Sequence, residues 1–279
     1  MLDKIRNIKW RQVGYFFLSI IALVGVGMLM SLVNKKDQVQ VCSALKVMVE
    51  GKETFIDQTD ITSMIQEKFG RVVGRPLNEI PLQKIETELR RSPYVSEADV
   101  HMDMDGTMKV QVMQREVVLR VINQNGQEYY VDSKNQKIPV TLKYVPHVMV
   151  ANGFIGEGYK KSLEPVQTKA VKDLIKVVEE TKNDELWSNQ IVQLYVNNER
   201  DIEIVPRVGD QQLVIGNADS LSYKLDRLTK FYTHILPKVG NDAYSKVNVK
   251  YGGQIICERK GEWFMDSLQM KINKDNLMR

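Results

Sequence analysis

The sequence predicts an α+β protein with a single transmembrane helix, a β-α-α-β-β module, and then a mixed β domain with two helices. Three observations predict it. Residues 13–33 carry no charged side chain, residues 39–116 alternate strand-like and helix-like periods in the order just given, and residues 117–260 show short alternating runs broken by two longer apolar stripes. Composition is that of a globular protein, 43% hydrophobic and 27% charged, and 279 residues suit two domains of ~100–200 residues each.

The uncharged run of about 21 residues spans about 31 Å at ~1.5 Å per residue, the thickness of a bilayer core. It is longer than a cleaved signal's apolar region and ends in Ser31-Leu32-Val33-Asn34 instead of small residues, so it reads as an uncleaved anchor. Residues 1–12 hold Lys4, Arg6, Lys9 and Arg11 against Asp3, whereas Lys35, Lys36 and Asp37 follow the run. The positive-inside bias makes 1–12 a cytoplasmic stub and sends the rest across the membrane, with Trp10 and Tyr15 at the near interface.

Within 39–116, Val41, Leu45, Val47 and Val49 mark a strand over 39–50. Thr59 caps a helix to Phe69 that presents Ile61, Ile65 and Phe69 on one face, and Gly70 stops it. Pro76-Leu77 opens a connection, and Pro81 stands in the first turn of a second helix striped by Leu82, Ile85 and Leu89. Pro93 cannot continue that helix. Tyr94 and Val95 begin a strand through Val100 and Met102, Asp105-Gly106 makes a two-residue hairpin turn, and Met108, Val110 and Val112 return. Two helices then cover one face of three strands.

Beyond Arg115, strands are expected at 119–122, 129–131, 147–151, 191–196, 201–205, 212–215, 247–251 and 254–257, with a turn at Asn125-Gly126. A helix falls within 163–187, with Pro165 near its start and Ala170, Val171, Leu174, Ile175 and Val178 on one side. A second helix begins at Asp219 or Ser220, turns Leu221, Leu225, Leu228, Tyr232 and Ile235 inward, and ends at Pro237 and Gly240. Residues 261–279 form a tail without clear period. No Gly/Ser linker marks the junction near 115–118, so the two modules are expected to pack end to end.

Catalytic and ligand-binding constellations do not stand out. The net charge of +4 is modest and no basic run sits among aromatics, which argues against nucleic acid. Cys42 and Cys257 make no disulfide framework or zinc cluster, and each reads as a small buried hydrophobe. His101, His147 and His234 are isolated, without metal-ligand spacing. Asp103 and Asp105 read as turn acids, Glu179-Glu180 as a solvated helix face, and 153–158 as a plain loop lacking the Lys-Ser/Thr of a phosphate loop. With no G-x-S-x-G elbow either, the expectation is no enzyme, no cofactor, no metal and no small-molecule substrate. What remains is surface. The last strands, VNVKYGGQIICER, suit a sheet edge to which a partner adds a strand, with Tyr251 as an amphipathic anchor and Gly252-Gly253 allowing close approach.

Particular residues carry a resemblance. Gly74-Arg75-Pro76-Leu77, the helix positions Ile85 and Leu89, Ser92-Pro93-Tyr94-Val95 and Ala98-Asp99-Val100 resemble the POTRA module of the FtsQ/DivIB bacterial cell-division proteins. Tyr130-Val131-Asp132, Val145-Pro146 leading to Gly153, and Val247-Asn248-Val249-Lys250-Tyr251 are similar to motifs of that family's β domain. The chain departs from the family at Asn248 and Lys250, where Asp and Arg are usual, and at Gln114 and Val117, where Glu and Pro are usual. Lys keeps the charge of Arg without its bidentate fork. The resemblance implies a POTRA domain over 39–116, a β domain over 117–260, and a scaffold in the inner membrane with its C-terminal domain periplasmic. It implies FtsB- and FtsL-like division partners bound on Lys250, Tyr251, Gly252, Gly253, Gln254, Ile255 and Ile256, with recruitment to the division site and other divisome contacts through the POTRA domain. Two alternatives stand beside it. One is an inner-membrane secretion or assembly component using the POTRA module to bind exported chains. The other is a membrane-anchored enzyme acting on the wall.

Overall fold

The computed structural model describes residues 15, 18–29, 40–241 and 243–261. The expected span at 13–33 therefore lies partly outside the described residues, as do 1–12 and most of the tail; 18–29 are helical and exposed. Among the described residues, no helix is long and apolar enough to cross a membrane. The chain forms two compact units. The first runs to Glu50 and from Ile56 to Gln114; the second takes Gly51–Phe55 and continues from Arg115.

In the first unit, β1 (Ala44–Glu50), β2 (Val95–Met102) and β3 (Thr107–Gln114) form a sheet in the order β1-β3-β2, with β1 parallel and β2 antiparallel to β3. Period-two alternation turns Met108, Val110 and Val112 of the central strand inward. They meet Ile61 and Ile65 of α1 (Gln58–Phe69) and Ile85 and Leu89 of α2 (Leu82–Arg90), all essentially inaccessible to solvent. Burying each such side chain contributes roughly 1.5–3 kcal/mol.

The α1 cap is Asp57, two residues before the expected Thr59. Its carboxylate accepts the Thr59 and Asp60 amides while Asp60 reaches back to the Asp57 amide, a reciprocal capping box. The β2–β3 hairpin also differs from expectation. A two-residue turn centred on Asp105-Gly106 needs positive φ at both, and only Gly106, at 82°, has it. The chain instead bonds the Gly106 amide to the Asp103 carbonyl and closes a three-residue loop, with Asp105 accepting the Thr107 amide as a turn acid. A Cβ on Gly106 would stand 2.9 Å from the Val41 carbonyl oxygen.

The second unit is a nine-stranded sheet in the order β12-β11-β10-β9-β8-β7-β4-β5-β6. Its strands are β4 (Val117–Ile122), β5 (Glu128–Asp132), β6 (Lys137–Pro139), β7 (Met149–Gly153), β8 (Ile191–Val196), β9 (Ile202–Pro206), β10 (Gln212–Gly216), β11 (Tyr244–Asn248) and β12 (Ile256–Arg259). The helices are α3 (Lys169–Lys182), the short α4 (Trp187–Gln190), and α5 (Leu221–Lys230), which passes through a π turn at Phe231–Ile235 into α6 (Leu236–Val239). Val171, Leu174 and Ile175 of α3 join Leu221, Leu225 and Leu228 of α5 in one core with the inward residues of the strands.

Three expectations change here. The helix expected within 163–187 starts at Lys169 and not near Pro165, because Leu163 takes a φ of 62° and Pro165 forms a bridge with Gln136; Thr168 then caps it. Pro237 does not end the second helix. The π turn restarts the helical register so that Pro237 falls in the first turn of α6, where no donor is missed, and Gly240 provides the stop. The strand β6, three residues with a proline, gives no periodic signal at all. Cys42 is buried in the first unit, Cys257 is half-buried in the second, and both are free thiols.

The motif residues of the β domain have structural tasks. Asp132 accepts the Lys134 and Gln136 amides, shaping the β5–β6 turn, and pairs with buried Arg115 at 2.7 Å. Gly153 lets β7 lie close to β8, since a Cβ there would be 2.2 Å from the Val196 carbonyl oxygen. The loop after it carries Glu157, buried, 3.0 Å from the Lys137 ammonium and accepting the Gln167 and Thr168 amides. Burial pushes the Glu157 carboxyl up, but the bonds from Thr168, Gln167 and Lys137 outweigh it and hold the group below its ordinary value.

Two measurements test this account. Gly106→Ala forces an L residue into the left-handed region against a fixed carbonyl, and is expected to cost about 1–3 kcal/mol by urea unfolding of the first unit. Glu157 has a folded-state pKa below its unfolded 4.5, so its stabilisation is present above that pH and is lost as pH falls through the lower folded value. Urea midpoints taken from about pH 7 to about pH 3 should therefore fall less steeply for Glu157→Gln than for wild type.

Candidate functional site

A sheet has two edges, and those of the second unit are finished differently. At β6 the backbone is covered: the Lys137 amide donates to the Glu164 carbonyl and the Leu163 amide to the Lys137 carbonyl. At the other end, β12 pairs with β11 through Asn248↔Ile256, Val247↔Cys257 and Lys246↔Glu258, and no further strand pairs with it among the described residues. This edge is short and charged at Glu258 and Arg259, features that discourage indiscriminate pairing.

The residues expected to bind a partner converge here, but not as the strand the sequence implied. Lys250, Tyr251, Gly252, Gly253, Gln254 and Ile255 form the connection between β11 and β12, and only Ile256 lies in a strand. Alternation through Val247, Val249 and Tyr251 mimics a longer strand. It is broken because the Asn248 side chain accepts the Lys250 amide and turns the chain. Tyr251 is 50% and Ile256 40% exposed, whereas Ile255 packs against the core.

Three residues outside the expected set shape this loop. Asp201, just before β9, holds the Lys250 ammonium at 2.7 Å and raises its pKa. Gly216, at φ 72°, leaves room for the Lys250 stem; a Cβ there would stand 2.9 Å from Lys250 Cγ. Arg227 of α5 is only 6% exposed, and its guanidinium lies beneath the loop. Its Nη1 donates to the carbonyls of Tyr251 and Gln254, both at 2.6 Å, and its Nη2 to that of Val249 at 2.5 Å. The Tyr223 ring stacks over it, 4.7 Å from Cζ.

A cleft of about 370 Å³ opens beside the loop, lined in part by Tyr223, Lys224, Arg227 and Lys250. Its cations are already engaged: Lys224 Nζ donates to Asn217 and is pushed down in pKa by burial, Lys250 pairs with Asp201, and Arg227 holds carbonyls. Among the described residues no group of three or more His, Cys, Asp and Glu could hold a metal ion. His101 bonds Asp99 and His234 bonds Thr233, each at the surface.

Sequence reading missed Arg227, Asp201 and Gly216. One signal was present. Lys224 and Arg227 border the Leu221, Leu225, Leu228 stripe, where a charge must find buried acceptors. Which acceptors Arg227 finds, more than twenty residues away, has no local trace.

Two findings set this geometry among known proteins. Residues 116–258 match the family model described as FtsQ/DivIB, C-terminal related, and residues 40–113 match that of a POTRA-like domain. No curated protein matches the chain.

The loop geometry makes a paired prediction. Ile255→Lys places an ammonium against the core and is expected to destabilise the second unit by about 1–3 kcal/mol, whereas exposed Ile256→Lys should stay within about 0.5 kcal/mol of wild type in urea unfolding.

Proposed function

The chain belongs to the FtsQ/DivIB family, and from that premise we propose that it is a membrane-anchored, non-enzymatic scaffold of the bacterial division machinery. Residues 13–33 would cross the inner membrane once, with the basic stub 1–12 cytoplasmic and the chain from residue 39 onward in the periplasm. Its FtsB- and FtsL-like partners would dock on the β11–β12 loop and add backbone bonds along β12. The observation that carries this reading is the asymmetry of the nine-stranded sheet. One edge is sealed by residues 163–166, while the other leads out of a fixed loop that exposes Tyr251 and Ile256.

The secretion reading rests on the POTRA-like unit alone, a module that serves several machineries. The match over 116–258 covers more than half the chain and favours division. The POTRA-like unit would then contribute recruitment to the division site.

Binding decides the matter. The full-length chain in detergent is titrated with the periplasmic part of the FtsB-like protein of the same cell, beside Tyr251→Ala and Ile256→Lys. Both positions are exposed, so folding should survive, and circular dichroism checks that it does. The expected result is a tenfold or greater loss of affinity for Tyr251→Ala, about 1.4 kcal/mol, and a comparable loss for Ile256→Lys. Wild-type affinity in both folded variants would move the interface elsewhere, and absence of wild-type binding would favour the secretion reading.

A further inference from the structure

We infer that Arg227 is a positioning residue for partner capture: from a buried helix face it sets the conformation of the loop that presents Tyr251 and leads into β12. This deepens the division-scaffold reading and rests on it.

The loop has little reason to hold one shape by itself. Gly252 and Gly253 are adjacent, Gly253 sits at φ 74°, and neither has a neighbouring atom within 4 Å of where a Cβ would be. Glycine pairs in open space have the widest choice of backbone states of any sequence. Yet the carbonyls on either side of the pair, Tyr251 and Gln254, both turn inward to one guanidinium, and Val249 joins them. Three carbonyl dipoles facing one point would repel each other without a cation between them. A planar cation with several fixed donors satisfies them together; an ammonium on a flexible stem offers a single point. Tyr223 closes the guanidinium from one side, and Lys250, tied to Asp201, fixes where the loop begins. With both its start and its middle set, Tyr251 faces outward and β12 enters its pairing with β11 in register.

The consequence is pre-organisation. A partner adding to β12 meets an edge already in its bound shape, and its apparent affinity is not reduced by the fraction of loops lying elsewhere.

The test uses the full-length chain as wild type, Arg227→Lys and Arg227→Ala. It reads amide hydrogen exchange across the chain and affinity for the periplasmic part of the FtsB-like protein. Arg227→Lys keeps charge and most of the volume, so it carries the test if Arg227→Ala fails to fold. The expected result for Arg227→Lys is exchange at least tenfold faster in residues 250–258, unchanged exchange in β7, β8 and α3, and an affinity loss of tenfold or more. A role in general stability alone would raise exchange throughout the second unit. Unchanged exchange in 250–258 overturns the proposal, and so does a loosened loop that binds as tightly as wild type. If the wild-type chain does not bind, the scaffold reading falls and the positioning role with it. That outcome differs from failure of the positioning role alone, where wild type binds and only the Arg227 variants contradict expectation.

Discussion

Every open sheet must dispose of the backbone groups on its last strands, and this constraint organises the second unit. At β6 the disposal is local: the segment 163–166 folds back along the strand and takes up its amides and carbonyls. That segment is itself held by the Glu157–Lys137 pair and its bonds to Gln167 and Thr168, so the start of α3 and the sealing of the edge are one arrangement. Among the described residues, β12 meets the same requirement on one side only, through β11. Buried Arg227 shapes the approach to that edge.

Much of this was legible in the sequence. The first unit follows from local signals: Gly70 and Pro93 end helices, Ile85 and Leu89 mark a buried stripe, and Met108, Val110 and Val112 alternate onto the core. These signals act within a few residues of where they are written. Apart from β6, the second unit's strands were also found, to within a residue or two except at β11, which lies three residues earlier than expected. What could not be read was the chemistry between distant segments. Val247 to Ile256 alternates well enough to pass for nearly continuous strand, and only Asn248 bonding Lys250, together with Arg227 drawing three carbonyls inward, shows why it is a loop. The last two strands were thus visible in the sequence, while the shape of the loop between them was not.

The family motifs take on physical meaning in the same way. Asp132 in the Tyr-Val-Asp run shapes a turn and neutralises Arg115; Gly153 allows two strands to approach; Lys250 ties the last loop to Asp201. Each has a contact to make within the fold. Tyr251 and Ile256, by contrast, keep their side chains largely at the surface.

One feature bears on timing. The β12 edge is assembled from parts far apart in the chain: Asp201 before β9, Gly216 after β10, Arg227 on α5, and β11 running parallel to β10. Translation delivers these in order, and β12 after all of them. The β12 edge therefore takes its shape only once β9, β10, α5 and β11 are in place, which makes it a certificate that its domain is complete. An assembly that recruits through such an edge inspects its components as it gathers them.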